Sequence, residues 1–366
     1  MYPDLLYQLA LTRIPLIGTA HAKTLADHFE NAEAIFKAKR LTLEKIEGIG
    51  PVRAEKIRSC RGFKEGEKEM AVIEKHGIAP LFLKDAKYPQ RLLNCYDPPT
   101  VLFYKGKADL NASKIIAIIG TRNCSDYGKQ FVQSLGETLA QQHVTVVSGL
   151  ALGIDAAAHK TALKHHIPTV GVLAHGLDCI YPHTHKAMAK EMILNSGGLL
   201  TEYSSGTEPE RHHFPTRNRI VAGMSDAVIV VETGIKGGSM ITAEMAHGYN
   251  RDLLALPGRS TDTKSAGCNY LIKHQKAAMI TAGEDLVRLM NWDIKKKHTH
   301  TQRKLFVELS NDEQKITDEL NGKDQMHIDD IYRASGLSSS MAAAAMLNLE
   351  LQGLVESLPG KCYRLC

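Results

Sequence analysis

The segment Phe214-Pro215-Thr216-Arg217-Asn218-Arg219 sets an aromatic ring beside two guanidinium groups that flank an amide. A ring stacks on a nucleobase, and a guanidinium pairs with phosphate oxygens through two parallel donors. Arg211, His212 and His213 precede the ring, and so charge-dense a stretch is not expected to bury fully. It reads as a loop leading into a short helix. Stacking by Phe214 with cations around it suits single strands better than duplex, whose bases offer only their edges. Arg217 and Arg219 are two residues apart and diverge if the segment is helical, so one of them can brace the site while the other contacts phosphate.

A second candidate lies at Glu232-Thr233-Gly234-Ile235-Lys236-Gly237-Gly238-Ser239, where a strand ends and a helix opens. Ser239 is predicted to cap that helix, and the amides of residues 238–240, with Lys236 nearby, can hold an anion. A third is Arg122, after the apolar run Ile115-Ile116-Ala117-Ile118-Ile119. There it either grips phosphate or pairs with a carboxylate such as Asp155 or Asp226. Ser148-Gly149 through Asp155 is a glycine-rich turn that lacks the Gly-x-Gly-x-x-Gly dinucleotide fingerprint. Asp155 serves equally as a helix cap, and His159 reads as packing.

Other groups point away from catalysis. Glu244 can be a base in a nucleotide-hydrolysing enzyme, or it can pair with an arginine; no Walker lysine motif occurs. His183, His185, His212 and His213 are read as lacking a cysteine or carboxylate at ligand spacing. No metal and no cofactor are therefore expected.

These groups need a scaffold, and residues 111–292 supply its pattern. Strand-like apolar runs alternate with helical segments through short connections, as in a doubly wound parallel sheet, a Rossmann-like α/β fold. Ligand crevices in such sheets form beyond the strand ends. Residues 1–65 read as short helices, with Ile46-Glu47-Gly48-Ile49-Gly50-Pro51 resembling a helix-hairpin-helix turn and Ile14 to Ala20 a degenerate second copy. Residues 66–110 are expected to connect this part to the sheet. Residues 293–304, with Lys295-Lys296-Lys297, read as a basic linker. Residues 305–366 read as three helices and a hairpin, a winged helix. Its third helix is poor in the residues that read DNA, so protein contact is at least as good a role.

Composition sets the outer bounds. The chain has 366 residues, a formal net charge of +5 and 43% hydrophobic residues, which suits a globular protein and permits a nucleic-acid partner. Seven scattered cysteines without a CxxC pair fit a reducing compartment. No run of about 18 apolar residues points to a membrane span, and the N-terminal residues lack a signal-peptide pattern, so a cytoplasmic location is expected.

In order along the chain stand Gly120-Thr121-Arg122 with Tyr127-Gly128, Ser148 to Asp155, His213 to Arg219, Gly237 to Ala243, and Leu256-Pro257-Gly258. With this order the sequence resembles the DNA-processing protein A family, DprA or Smf, over nearly its whole length. The resemblance implies a bacterial single-stranded DNA-binding protein without established catalysis. It implies protection of incoming DNA in natural transformation, help in loading the RecA recombinase, and a homodimer formed through the Rossmann-like domain. It also favours DNA contact for Arg122. The expected DNA-binding set is Arg122, Arg211, Phe214, Arg217, Arg219, Lys236, Gly238 and Ser239. A nucleotide-hydrolysing enzyme using Glu244 and a protein adaptor remain the alternatives.

Overall fold

A computed structural model describes residues 4–292, 309–358 and 360–366. The chain forms two compact units, Met1–Gly283 and Glu284–Cys366. The expected linker at 293–304 lies outside the described residues.

The first unit begins with the short helices Leu5–Leu11, Thr19–His28, Ala32–Lys37, Arg40–Glu44 and Pro51–Arg58. Gly18 and Gly50 are the N-caps of Thr19–His28 and Pro51–Arg58, so both glycine turns lead into a helix. Pro51 opens the second of these, where its missing N–H costs nothing. Arg53 donates to the carbonyls of Leu16 and Gly48, each at 3.0 Å, and ties the two turns together. The helical region does not end near residue 65. A helix spans Phe63–His76, with Met70 and Ile73 turned inward and Gly77 closing it in the left-handed region at φ 58°. Tyr7, Phe36 and Phe63 meet at centroid distances of 5.3 to 5.7 Å, which holds its first turn against the opening helices.

The sheet has nine strands: β1 (Ala79–Phe82), β2 (Val101–Gly106), β3 (Ile115–Ile119), β4 (Thr145–Ser148), β5 (Thr169–Val172), β6 (Gly198–Thr201), β7 (Ala227–Val230), β8 (Asp252–Ala255) and β9 (Ala278–Met279). Their order is β1-β2-β6-β5-β4-β3-β7-β8-β9. Strands β3 to β9 run parallel, and every residue of β3 and β7 is buried, as a sheet covered by helices on both faces requires. The stretch expected to lead into the sheet, in which residues 102–106 read as a short strand in the sequence and those of β1 do not, supplies β1 and β2. They add antiparallel strands beside β6 and cover what would otherwise be an open edge.

From β3 the chain winds outward through β4, β5 and β6, then returns to place β7 on the other side of β3. This reversal parts the connections that follow β3 and β7, and a crevice opens between them.

The second unit contains the helices Asn311–Leu320, Ile328–Ser335 and Ser339–Leu351. Ser310 and Glu313 cap the first reciprocally: the Glu313 amide donates to Ser310 Oγ at 3.3 Å and the Ser310 amide to Glu313 Oε2 at 2.7 Å. Strands β10 (Met326–His327), β11 (Val355–Leu358) and β12 (Cys362–Leu365) form a sheet in the order β10-β12-β11. Strand β10 was not foreseen, because two residues carry too short a pattern to read. Ile316, Leu320, Ile331, Leu349 and Val355 build this unit's own core.

Candidate nucleic-acid interface

A crevice of about 710 Å³ lies at the sheet's reversal point. Arg122, Arg211, Phe214, Arg217, Gly238 and Ser239 all line it, though they come from three separate stretches of chain. Arg219 and Lys236 do not.

Arg122 follows β3 on an exposed loop. Glu232, fully buried just after β7, holds that loop: its Oε2 accepts the Ser125 amide at 2.8 Å and its Oε1 accepts the Ser125 hydroxyl. Ser125 in turn caps the helix Asp126–Ala140 by accepting from the Gly128 amide at 3.2 Å. A Cβ on Gly128 would come 2.8 Å from the Glu232 carboxylate, so the close approach requires glycine there.

Phe214 is not in a loop. It occupies the first turn of the helix His213–Gly223, where Pro215 is tolerated because the first amides have no partner within the helix. The Arg122 guanidinium lies 5.3 Å from the centroid of the half-buried Phe214 ring, in cation–π range. Tyr181, 45% exposed, also lines the crevice, with its centroid 5.9 Å from that of Phe214. The two rings, their planes 59° apart, and the guanidinium cluster at the crevice. Tyr181 was missed by sequence reading, since it lies more than thirty residues upstream in a loop without periodicity.

The helix placement sends Arg217 and Arg219 opposite ways. Arg217 is 4% exposed at the crevice floor and donates to the Val172 carbonyl at the end of β5. Burial lowers its pKa to about 10, with the charge of Asp155 opposing the shift, so it stays cationic at neutral pH. Burial likewise raises the Asp155 carboxyl, which Arg217 and the amides of Gly149 and Ala151 pull back. Arg219 is turned away from the crevice and is 7% exposed. It donates to the Glu202 carboxylate and the Asp97 carbonyl, which makes it a brace between helix and sheet.

At the opposite wall the helix Gly238–Gly248 starts at an N-cap of Gly237, with no side-chain cap. Ser239 is therefore the second helical residue, not the cap. The first-turn amides of Gly238 and Ser239 have no carbonyl within the helix to bond, and the macrodipole makes this end attractive to an anion. Lys236 is exposed in the preceding turn, outside the crevice lining. Glu244 is not in the lining either; it pairs with Lys276, its carboxylate oxygens 2.7 and 3.0 Å from Nζ.

His212 and His213 differ from their sequence reading, and His185 does not. His185 is buried and bonded through Nδ1 to the Leu150 carbonyl at 2.8 Å. His212 and His213 do have a carboxylate at ligand distance, that of Glu210, brought round by the turn that starts the Phe214 helix.

Fold and crevice together define an open Rossmann-like α/β protein with a cationic, aromatic-lined cleft at the reversal point of its sheet. The same chain carries a helix-hairpin-helix region and a winged-helix unit. It belongs to the family described as DNA recombination-mediator protein A, whose model matches residues 79–291. The DprA winged-helix model matches 306–361, and a helix-hairpin-helix model matches 6–66. Protein Smf of Synechocystis sp. is 32% identical over 394 aligned residues, covering 98% of each chain. The solved structure of DNA processing protein A from Streptococcus pneumoniae is 34% identical, with a TM-score of 0.58, covering 74% of this chain and 97% of that one. DNA processing protein A from Helicobacter pylori, studied for its single-stranded DNA binding mode, is 32% identical with a TM-score of 0.51, covering 57% and 94%. Among the described residues, no helix is long and apolar enough to cross a membrane.

Proposed function

We propose that the chain binds single-stranded DNA along this crevice. Phe214 and Tyr181 stack bases, Arg122 and Arg211 hold phosphates, and the first amides of the helix Gly238–Gly248 take a further phosphate oxygen. Arg217 supplies fixed positive charge from below, and Lys236 adds exposed charge nearby. The observation that carries this reading is the Arg122 guanidinium against the Phe214 ring, with the exposed Tyr181 ring beside it. The single-strand binding of the H. pylori relative supports it. Residues 111–292 are assigned the strand-binding role. We further infer, from family membership, a non-catalytic cytoplasmic protein that protects incoming DNA in natural transformation, passes it to RecA, and dimerises through the Rossmann-like domain.

The test is fluorescence anisotropy with labelled poly-dT and a matched duplex across a salt series. Poly-dT should bind in preference to duplex, with log K falling against log salt by about 0.7 for each phosphate contact. Equal affinity for duplex, or none for poly-dT, overturns the reading.

A further inference from the structure

We propose that Glu210, His212 and His213 form a binding site for a divalent transition-metal cation of the Zn²⁺ type, on the rim of the crevice. One ligand atom from each residue lies within 4.8 Å of the others. Glu210 Oε2 is 3.4 Å from His212 Nδ1, close to the roughly 3.3 Å that separates two ligands of a tetrahedral zinc with bonds near 2 Å. Two imidazoles and a carboxylate are a donor set that zinc accepts, and harder cations such as Mg²⁺ prefer oxygen alone.

The surroundings orient the ligands. His213 Nδ1 lies 3.2 Å from the Glu208 carbonyl; with the proton on Nδ1, Nε2 keeps its lone pair for a metal. The ring of Tyr203 packs 4.3 Å from that of His213 and limits its rotation. The side chains of Glu210 and His212 are 61% and 71% exposed, so a cation can enter from solvent and keep water on its remaining positions. No other trio of His, Cys, Asp or Glu among the described residues meets the same distance.

The site shares one short stretch with the crevice, since Pro209, Arg211 and Phe214 line the crevice itself. A bound cation would place positive charge, and a position exchangeable for a phosphate oxygen, beside the strand. That consequence rests on the strand-binding reading above; the metal site does not.

The experiment is calorimetric titration of the full chain, freed of metal with EDTA, with ZnCl₂ and without DNA. Co²⁺ absorption provides a second readout. One equivalent should bind, and Glu210→Gln and His212→Ala should each weaken it at least about tenfold. Both side chains are exposed, so unchanged thermal midpoints are expected. The double variant His298→Ala/His300→Ala should bind as the parent does. No stoichiometric binding, binding unaltered in the Glu210 and His212 variants, or binding lost with His298 and His300 overturns the site. Poly-dT anisotropy with ZnCl₂ or EDTA then tests the link to the crevice. Zn²⁺ should tighten binding in the parent and not in His212→Ala. Equal tightening in both overturns the link, and poly-dT binding in EDTA reports separately on the crevice.

Discussion

The Arg217 guanidinium lies directly against Gly149: a Cβ on that glycine would stand 2.3 Å from Nη1 and 2.6 Å from Cζ. The turn after β4 and the helix that carries Phe214 thus meet with room only for a hydrogen. Arg217 cannot step aside freely, because it is buried and bonded to the Val172 carbonyl. Gly149→Ala should therefore cost about 1–3 kcal/mol, the usual penalty for overpacking, and weaken poly-dT binding as well. Gly238→Ala is the contrast. Nothing lies within 4 Å of a Cβ there, and its thermal midpoint should not fall. Equal midpoints for the two variants would sink this account of the crevice floor.

Arg122 should show the opposite profile. It is exposed, so Arg122→Ala should leave the thermal midpoint unchanged. Its loss should weaken poly-dT binding by about 1.5–3 kcal/mol, the range for a hydrogen bond to a charged group. The salt slope should also become shallower by about 0.7, one phosphate contact on a single strand. A changed affinity with an unchanged slope would mean that Arg122 acts through Phe214 and touches no phosphate.

Phe214 and Tyr181 touch, with 5.9 Å between centroids, and so their contributions should not add. Each alanine variant should lose about 1–3 kcal/mol of poly-dT affinity, and the double variant less than the sum. Full additivity in the anisotropy cycle would place the rings on independent bases.

Arg219 belongs to stability. Arg219→Met leaves the Glu202 carboxylate buried without its cation, which typically costs about 3–5 kcal/mol. Burial already pushes the Glu202 carboxyl up, and the charge of Arg219 offsets part of that shift. Adding Glu202→Met should restore most of the lost urea midpoint, since an apolar pair of similar volume replaces a buried ion pair at little cost. If the double variant is no more stable than the single one, packing and not charge explains the loss.

What could be read from the sequence tracks how local each cause is. The apolar runs of β3 and β7 announce buried parallel strands because neighbouring residues share one environment. The stretches around Arg122, Phe214 and Gly238 converge because the sheet order reverses, a relation that alternating strands and helices already imply. The fate of Arg219 was not legible: its partners Glu202 and Asp97 are distant in sequence, and only the helix phase turns it toward them. Ser239 looked like a cap because serine favours that position, yet extended backbone falls at Gly237, at φ −71° and ψ 151°. The Glu210-x-His212-His213 spacing is present in the sequence, but its convergence follows from no regular helix or strand period. On a turn, residues two and three apart can converge as they do not along a strand.

His159 adds a pH dependence that involves no DNA. It is fully buried, and its Nδ1 lies 2.7 Å from Thr169 Oγ1. That hydroxyl donates to the Val146 carbonyl at 3.1 Å, so the imidazole Nδ1 must be the donor to Thr169; the buried Nε2 has no acceptor for a second proton among the described residues, and the ring is neutral. Burial, aided by the charges of His185 and Arg217, pushes its pKa down to about 3. An unfolded histidine titrates near 6.5, so below that pH the unfolded chain binds a proton that the folded chain refuses. The stability is present above pH 6.5 and is lost as pH falls from 6.5 toward 3, at about 1.4 kcal/mol per pH unit. Urea unfolding at pH 7, 6 and 5 should show this loss in the parent. His159→Gln cannot take up the proton and, whatever its starting stability, should lose less per unit. Parallel losses in the two proteins would assign the acid limb to other groups.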